Sequence, residues 1–330
     1  MLTDAFGRHI DYLRVSLTDR CNFRCTYCMP EDMQFAPRRD NLALEELEII
    51  CRAFVDLGVK KIRLTGGEPL IHPEFAQLLH SISALADLQR IAITTNGAFI
   101  RKHIEVLRSS KVSQLNISLD SVDPDTFARI TRTGELAPVL DGIDAAIEAG
   151  IERIRLNAVV SKGFNDTELL SLLDFAVSKK IHIAFIEEMP LGQMPDYRRS
   201  EQYLSSEDVK DQLQSRYQLL PNMQKRQQAG PARYYNVAGA ATEVGFISPH
   251  SNNFCAACNR VRLTRQGKLV LCLGHDDAVD LRQLVRESDD PLIAVKRSIV
   301  EALQYKPESH AFDISSDDWQ VVRFMNVTGG

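Results

Sequence analysis

The sequence lacks the features that mark a membrane protein, a secreted protein or a general nucleic-acid binder. None of its apolar runs reaches the roughly 18 uncharged residues that a membrane-spanning helix needs. Its N-terminus has no basic region followed by an apolar run, so a signal peptide is not expected. The formal net charge of −5 argues against general nucleic-acid binding, and any polyanionic ligand would need locally clustered arginines. We therefore expect a cytoplasmic protein that binds neither membrane nor nucleic acid.

Cysteine is also scarce, but its distribution is uneven. Seven cysteines occur in 330 residues, and six of them form two groups of three. The seventh, Cys51, lies in a helical apolar stripe, and we predict that it is a core residue. Groups of three would leave an odd thiol if they formed disulfides, so this usage fits metal ligands in a reducing cytoplasm.

The first group, Cys21-x3-Cys25-x2-Cys28, has the spacing of a metal or iron–sulfur site. Soft thiolates packed this closely favour zinc or iron–sulfur clusters. An electron-transfer [4Fe–4S] cluster uses four cysteines, and no fourth cysteine lies nearby in the sequence. Three ligands on four irons leave one iron with an open coordination site, where a substrate can bind as it does at catalytic zinc. A zinc site or a ferredoxin-like cluster is the alternative interpretation.

The second group, Cys255-x2-Cys258-x13-Cys272, is compatible with two kinds of metal site. Structural zinc needs four ligands, and His275 is the obvious fourth because it follows Cys272 by three residues. A second cluster with an open iron is favoured by the first group in the same chain and by two arginines that closely follow Cys258. The histidines form no pair at metal-binding spacing on a clear helix.

The N-terminal half alternates short apolar strands with helical patterns, which is the signal for βαβ units and a parallel sheet. Gly58 and Gly150 fall where helices are expected to end. Between residues 187 and 240, prolines and glycines interrupt this rhythm and indicate loops. We predict strands near 12–17, 60–65, 90–95, 114–119, 152–159, 181–186 and 243–248, and helices near 43–57, 73–86, 98–109, 138–149, 167–179 and 206–215.

Side chains alternate between apolar and polar along the six N-terminal strands. Successive strand residues point to opposite faces, so we expect the apolar set under the helices and the polar set on the concave face. Arg14, Arg63 and Arg155 share the polar parity. A closed eight-stranded barrel would fill its interior with Val, Ile and Leu. Six strands with a cationic interior therefore predict a partial barrel around an open cavity. An amphipathic sheet with one wet face is the alternative, but it leaves the three arginines unexplained.

A loop with adjacent glycines, Thr65-Gly66-Gly67-Glu68-Pro69, follows the second predicted strand. Glycines allow positive φ and close backbone approach, so the loop is able to lie against a ligand. The pair alone is a weak signal, because many turns contain one.

Taken together, these motifs resemble a known family. The first cysteine group, with Tyr27 before its last cysteine, is similar to the signature of radical S-adenosylmethionine (SAM) enzymes. From about residue 4 to its end, the chain resembles the GTP 3′,8-cyclase family of molybdenum-cofactor biosynthesis. The matching segments are 18–28, 63–69, 94–97, 116–121, 185–189, 255–262 and the terminal Gly329-Gly330.

The resemblance implies an α/β fold, namely an incomplete (βα)6 barrel of the TIM type with a C-terminal α+β extension that carries a second iron–sulfur cluster. We expect the barrel core to span residues 1–230 and the extension, packed over the open side, to span residues 231–330. The implied cofactors are two [4Fe–4S] clusters and SAM. The implied cluster ligands are Cys21, Cys25 and Cys28 for the first and Cys255, Cys258 and Cys272 for the second.

The resemblance also implies which residues bind the two substrates. The SAM pocket would be lined by Tyr27, Gly67, Ser118 and Met189, with the Gly67 backbone and Glu68 meeting the SAM amino group. GTP would be held by Arg14, Arg63, Thr94, Arg155, Arg260, Val261 and Arg262. Arginine suits phosphate because its planar fork donates two parallel charge-assisted hydrogen bonds.

No residue is assigned a catalytic role outright, since the SAM-derived radical carries the chemistry. The candidates are Arg260, Arg262, Gly329 and Gly330. The resemblance suggests that the two terminal glycines insert as a slim tail into the active site, and we hypothesise that cyclisation requires them.

The implied reaction is a radical cyclisation of GTP. Reductive cleavage of SAM gives a 5′-deoxyadenosyl radical, which abstracts the hydrogen from C3′ of the ribose. C3′ then attacks C8 of guanine, and reduction gives 3′,8-cyclo-7,8-dihydro-GTP. The implied partners are a flavodoxin- or ferredoxin-type electron donor, cyclic pyranopterin monophosphate synthase as the next enzyme, and a second copy of the chain in a homodimer.

Two positions depart from the family pattern. Family members commonly have Lys where this chain has Arg155, and many have a basic residue where it has Ala184. One phosphate contact is therefore expected to be missing or to be supplied from elsewhere, for example by Lys162.

Other functions stay open from the sequence. One is a radical SAM enzyme with an auxiliary cluster that modifies a peptide or another small molecule, although peptide-modifying relatives usually carry more C-terminal cysteines. Another is a non-catalytic iron–sulfur or zinc protein that binds nucleotides or a partner. A degenerate family member is disfavoured, because all six cysteine ligands are present.

Overall fold

Twelve strands join in one sheet in the computed structural model, which describes residues 2–192, 199–223, 230–310, 312–313 and 320–329. The strands are β1 (Tyr12–Ser16), β2 (Lys61–Thr65), β3 (Arg90–Thr95), β4 (Val112–Ser118), β5 (Arg153–Val160), β6 (His182–Glu187), β7 (Leu219–Pro221), β8 (Arg233–Val237), β9 (Glu243–Ile247), β10 (Arg260–Leu263), β11 (Lys268–Val270) and β12 (Ala278–Asp280).

Eleven α-helices accompany these strands in the described ranges. They are α1 (Leu44–Asp56), α2 (Phe75–Ser83), α3 (Ile100–Arg108), α4 (Pro124–Thr131), α5 (Leu136–Glu148), α6 (Leu169–Ser178), α7 (Arg199–Gln202), α8 (Ser206–Gln214), α9 (Leu281–Glu287), α10 (Pro291–Leu303) and α11 (Met325–Thr328). None of the helices in these ranges is both long and apolar enough to span a membrane.

The six predicted N-terminal strands are confirmed as β1–β6, and they pair in parallel in chain order. The predicted helices are confirmed as α1, α2, α3, α5, α6 and α8, and the predicted strand near 243–248 as β9. The sequence analysis missed α4, which begins at Pro124 after Asp123. The Asp123 carboxylate accepts a hydrogen bond from the Thr126 N–H at 2.8 Å, and an Asp-Pro pair is a recognisable helix start.

Strands that come after β6 extend the same sheet at both of its edges. β10 pairs in parallel with β1 and continues into β11 and β12, while β9 pairs in parallel with β6 and continues into β8 and β7. The residues after 230 therefore build their strands onto the sheet of the barrel itself. The domain boundary at residue 230 stays a prediction.

Apolar and polar side chains that alternate along the strands lie on opposite faces of the sheet, as predicted. Leu13 and Val15 of β1 are completely buried in the same hydrophobic core as Phe54 of α1. Arg14, which lies between them in sequence, lines the cavity on the other face of the sheet. Cys51 of α1 is completely buried in the core, as predicted. The core thus lies between sheet and helices, and the concave face carries polar side chains.

Candidate active site

The first cysteine group lies on the loop that follows β1. The Gly-Gly loop after β2 lies against the beginning of the cysteine loop. The backbone N–H of Gly67 donates to the Thr18 carbonyl at 2.7 Å, and the backbone N–H of Glu68 donates to the Arg20 carbonyl at 2.8 Å. A Cβ would lie 2.3 Å from the Thr18 oxygen if built on Gly66, and 2.2 Å from the Arg20 oxygen if built on Gly67. Only glycine permits so close an approach. The two glycines therefore let the backbone of one loop hold the other in place.

The Glu68 carboxylate is completely buried and joins the Gly-Gly loop to the loop after β3. It accepts hydrogen bonds from the Thr95 hydroxyl at 2.8 Å and from the Asn96 N–H at 2.6 Å. Through its side chain, Asn96 donates to Asn22 at 2.7 Å and to the Cys21 sulfur at 3.8 Å. Burial raises the pKa of Glu68 to about 7. The structure thus gives this carboxylate partners within the protein, and its predicted contact with the SAM amino group stays a prediction.

The three thiols of the first group are buried near one another. Burial and the field of Glu68 raise the pKa of Cys21 to about 11, and burial and the nearby Cys21 raise the pKa of Cys28 to about 12. The pKa of Cys25 is raised well above its usual value by burial and by Cys28. Sulfurs in this environment need a bound cation if they are to be thiolates. The irons of a cluster supply that positive charge, so the three donors fit a cluster.

Within the described residues, no three Cys, His, Asp or Glu side chains converge on a point where one metal ion could be held. A single zinc ion requires such convergence, whereas a [4Fe–4S] cluster binds each thiolate through a different iron. The ring of His275, the alternative zinc ligand, has its Nε2 atom 3.0 Å from the Ser309 carbonyl oxygen.

A buried carboxylate holds Tyr27 beside the first cysteine group. The Tyr27 hydroxyl donates to Asp120 Oδ2 at 2.7 Å, and Asp120 Oδ1 accepts from the Val159 N–H at 2.8 Å. Burial raises the pKa of Asp120 to about 6. The residues predicted to bind SAM lie at the carboxyl ends of β1, β2, β4 and β6 or on the loops that follow them: Tyr27, Gly67, Ser118 and Met189.

A cavity of about 490 Å³ lies on the concave face of the sheet. Its wall includes most residues predicted to bind GTP, together with Met189: Arg14, Arg63, Thr94, Arg155, Arg260 and Arg262. Val261 differs, because its side chain is buried in the hydrophobic core. The parity argument is therefore confirmed for the three arginines of the N-terminal strands, and β10 adds two more beside β1.

These arginines are neighbours in the sheet register. Arg14 is opposite Arg63 on one side and opposite Arg262 on the other. Burial lowers the pKa of Arg14 to about 10; Tyr12 opposes this shift and Arg63 adds to it. Burial and Arg14 lower the pKa of Arg262 well below its usual value. Buried like charges repel one another, so this face of the sheet favours a bound polyanion.

Two tyrosines that the sequence analysis did not assign also line the cavity. Tyr12 accepts a hydrogen bond from Arg63 Nε, and Tyr234 accepts one from Arg155 Nη1. Burial alone would raise the pKa of Tyr12, but Arg63 and Arg14 outweigh it and lower the pKa to about 6. Tyr12 has the same strand parity as Arg14, so the pattern could have identified it. Tyr234 lies on β8, where no strand was predicted.

The second cysteine group lies in the wall of the same cavity, to which Cys255, Cys258 and Cys272 all contribute. Burial would raise the pKa of Cys258, but Arg260 and Lys306 outweigh it, so that the pKa is lowered. Burial raises the pKa of Cys272. The thiols and the arginines therefore share one cavity, with β10 beginning two residues after Cys258.

A buried arginine near the N-terminus links the second cysteine group to the C-terminal segment. Arg8 forms an ion pair with Asp4 at 2.5 Å and donates to the Cys255 carbonyl at 3.0 Å. It also donates to the carbonyls of Pro307 and Glu308, both at 2.7 Å. A planar guanidinium satisfies several acceptors in fixed directions. Sequence analysis missed this contact, because Arg8 and Cys255 are 247 positions apart.

The C-terminal tail connects the first cysteine group to the arginines. Asn326 donates through its side chain to the Asp19 carbonyl at 2.7 Å, and its backbone opposes the rise in the pKa of Cys28. Three residues later, the carbonyl of Gly329 accepts a hydrogen bond from Arg262. The tail therefore contacts both of the predicted substrate regions.

Gly329 is packed so tightly that it has no room for a side chain. A Cβ built on it would lie 2.1 Å from Thr65 Cγ2 at the end of β2. Its φ of +77° also disfavours any residue with a side chain. Gly330, the other predicted tail residue, lies outside the described residues.

Family models match two consecutive parts of the chain. Residues 15–176 match the radical SAM superfamily, and residues 181–312 match Molybdenum Cofactor Synthesis C. Among curated proteins, GTP 3′,8-cyclase 2 of Pseudomonas aeruginosa and GTP 3′,8-cyclase of Ectopseudomonas mendocina are each 50% identical to this chain over 329 residues. These alignments cover 100% of this chain and 98% of each relative.

Solved structures share the fold at low sequence identity. Streptococcus suis SuiB has a TM-score of 0.62 at 17% identity, with 90% of this chain and 68% of SuiB covered. SuiB bound to S-adenosylmethionine has a TM-score of 0.61 at 16% identity, with 97% and 77% covered. At such identity these similarities support the fold alone.

The chain therefore belongs to the radical SAM superfamily, and the predicted fold class is confirmed. Its cofactors are two [4Fe–4S] clusters and SAM, which fits the two groups of three thiols. Within the superfamily, the 50% sequence identity to these two relatives over the full length of the chain shows that it belongs to the GTP 3′,8-cyclase family.

We expect Arg8→Lys to release the second cluster and to leave the first in place. Lysine keeps the charge but cannot reach Asp4 and three carbonyls at once, and disrupting a buried ion pair costs about 3 kcal/mol or more. Iron content should fall from about eight per chain to about four, given four irons per cluster. The control is Arg101→Lys, since Arg101 pairs with Asp141 at 2.6 Å on the surface. Full iron content in the Arg8 variant would contradict this role.

Proposed function

We propose that this chain joins C3′ of GTP to C8, with SAM as the co-substrate, as the name of its relatives indicates. One-electron reduction of SAM at the first cluster supplies the 5′-deoxyadenosyl radical that removes the C3′ hydrogen. The observation that carries the proposal is the set of five arginines, of which Arg63 and Arg155 are buried, that share a cavity with the second thiol group. A triphosphate is the kind of ligand that relieves their mutual repulsion.

The first cysteine group and the residues beside it form the proposed SAM site. Tyr27 is fixed by Asp120 next to the thiols. The backbone of Gly67 and the side chains of Ser118 and Met189 complete the lining. Since all of them lie at the carboxyl ends of the strands, they occupy the edge at which barrel enzymes bind their substrates.

The proposed GTP site occupies the concave face. Arg14, Arg63 and Arg155 hold the triphosphate together with Arg260 and Arg262. Thr94 contributes its hydroxyl, which already accepts a hydrogen bond from Arg63 Nη1 at 3.1 Å. The side chain of Val261 lies in the core, so Val261 contacts GTP through its backbone.

The protein contributes to the chemistry by holding GTP in position. The arginines bind one end of GTP, so that its ribose is held at a fixed depth in the cavity. Gly329 packs against Thr65 and accepts a hydrogen bond from Arg262, so the tail is held beside one of the arginines. Holding C3′ close to the radical source and excluding water and other hydrogen donors raises the rate and prevents side reactions.

We infer that Tyr234 takes the place of the basic residue that is absent at Ala184. Ala184 is completely buried and is opposite Gly245, which is opposite Tyr234. A Cβ on Gly245 would lie 2.9 Å from the Tyr234 ring, so these small residues make room for the ring, whose hydroxyl reaches Arg155. Lys162 is exposed and is not among the residues that line the cavity, so a phosphate contact from it stays a prediction.

Tyr234→Phe should raise the KM for GTP about tenfold, because a hydrogen bond to a charged group is worth about 1.5–3 kcal/mol. The hydroxyl orients Arg155, so the KM for SAM should not change. Anaerobic initial rates at varied GTP and varied SAM measure both quantities. Tyr235→Phe is the matched control, since Tyr235 packs against Phe246 with 5.6 Å between the ring centroids. An equal rise in both KM values would contradict the proposed role.

The experiment that tests the function is anaerobic turnover of the reconstituted, dithionite-reduced enzyme with SAM. 5′-Deoxyadenosine is measured with GTP, with ATP and without nucleotide. We expect it to rise only with GTP, together with a cyclised nucleotide. Equal SAM cleavage in all three reactions would remove GTP as the substrate and would favour a radical SAM enzyme that acts on a peptide or another small molecule.

We also propose the partners that the family resemblance implies. They are a flavodoxin- or ferredoxin-type electron donor, cyclic pyranopterin monophosphate synthase as the enzyme that takes the product, and a second copy of the chain in a homodimer. A reducing cytoplasm is the proposed location, because six thiols must stay available as cluster ligands.

A further inference from the structure

A buried lysine lies beside the second cysteine group. Lys306 is only 2% exposed, although lysine is almost never fully buried without a partner. Its ammonium donates to the carbonyl of Leu271, the residue before Cys272. It also forms part of the cavity wall. Because burial of a charge is unfavourable, the position needs a compensating negative charge.

The thiols of the second group line the same cavity wall as this ammonium, which is bonded to the residue before Cys272. Within the described ranges, Lys306 forms no ion pair with an aspartate or glutamate. Its charge instead lowers the pKa of Cys258 and opposes the rise that burial causes in the pKa of Cys272. Arg8 holds the next two residues, Pro307 and Glu308, in the same network as Cys255. The lysine is therefore kept at a fixed place relative to the thiols.

We propose that Lys306 is an outer-sphere cation of the second [4Fe–4S] cluster and that its charge raises the reduction potential of that cluster. The proposal rests on the second cluster but not on the identity of the substrate. Reduction adds one electron to a cluster that already carries three thiolates, and no bond changes. A buried cation stabilises this more negative state more than the oxidised state, and nearby charge is one of the factors that set cluster potentials.

Three variants separate the charge of Lys306 from its hydrogen bond. Lys306→Gln keeps a donor for the Leu271 carbonyl but removes the charge, and Lys306→Arg keeps the charge. Lys268→Gln is the matched control, since Lys268 precedes Cys272 in the same module but pairs with Asp280 at 2.7 Å near the surface. Each holoenzyme is titrated electrochemically and followed by electron paramagnetic resonance. The signal of the second cluster is the one that persists in Cys25→Ser and disappears in Cys255→Ser.

We expect Lys306→Gln to lower the reduced-to-oxidised ratio of the second cluster about tenfold at a fixed potential, which is about 59 mV for a one-electron couple. Lys306→Arg and Lys268→Gln should stay at the wild-type potential. If Lys306→Gln loses the iron of the second cluster while Lys306→Arg retains it, the charge is required for assembly, which also supports the proposal. An unchanged potential in Lys306→Gln, or loss of this iron in both variants, overturns it and makes Lys306 a packing residue. None of these measurements uses GTP, so their failure is distinct from failure of the proposed reaction.

Discussion

Cys25→Ser is expected to abolish 5′-deoxyadenosine formation and to leave the second cluster in place. Cys25 is buried with the other two thiols of the first group, and a serine hydroxyl is a poor replacement for a soft thiolate. Without the first cluster, SAM receives no electron, so cleavage should fall to background. Iron should fall from about eight to about four per chain, because one of two four-iron clusters is lost. Anaerobic single-turnover assays and iron analysis measure the two effects.

Two further cysteine variants make this result specific. Cys255→Ser should lose the second cluster and the cyclised product but keep the first cluster. Cys51→Ala should keep both clusters and full activity, because Cys51 lies in the core away from both groups. Its only expected effect is a lower free energy of unfolding, by about 1 kcal/mol, from the small cavity that it creates. SAM cleavage by Cys25→Ser at the wild-type rate would remove Cys25 from the proposed ligand set.

Gly329→Ala is expected to lower cyclisation about 100-fold, since a displacement of about 1 Å at an active site can have an effect of this size. The new methyl group would meet Thr65, at 2.1 Å, and would have to displace the tail from the end of β2. Displacement of the tail also breaks the contact between the Gly329 carbonyl and Arg262. Both clusters should remain, because neither group of cysteines is changed. Deletion of Gly329 and Gly330 should have the same outcome.

The matched control for this substitution is Gly163→Ala. Gly163 has a φ of +78°, nearly the same as the +77° of Gly329, but a Cβ there meets nothing within 4 Å. Both variants therefore place a side chain at a positive φ, and only Gly329→Ala carries the steric conflict. Product formation, iron content and the KM for GTP are compared anaerobically. Equal activity of the two variants would mean that the tail plays no part in cyclisation.

Local sequence patterns were sufficient for the barrel and for the thiol groups. Strand and helix periodicity predicted β1–β6 with their crossover helices, because each element buries one regular face. The same alternation predicted that Arg14, Arg63 and Arg155 would line one cavity. Cysteine spacing predicted iron–sulfur ligation, since a cluster binds thiolates that are close together along the chain. The α4 start and Tyr12 were also visible in the sequence but were not used.

The sequence could not predict contacts between segments that lie far apart along the chain. The glycines of the Gly-Gly loop were predicted to lie against a ligand, and the sequence did not show that they also make room for the backbone at Thr18 and Arg20. The position of Tyr234 from β8 beside Ala184 and Gly245 was likewise not predicted. In each case the partner comes from a segment whose position no local pattern specifies.

By itself, the sequence determined the parallel barrel, the two groups of thiol ligands and the cationic face of the sheet, because each depends on short-range periodicity or spacing. Only the tertiary structure decided how the second group comes to line the cavity of the arginines and how the tail joins the first group to them. Strand β10 joins the β1 edge, Arg8 reaches Cys255 across 247 positions, and the tail residue Gly329 lies between Thr65 and Arg262. The physical reason is that such contacts depend on how closely backbones approach and on which buried polar groups find partners, and these are settled only when the whole chain packs.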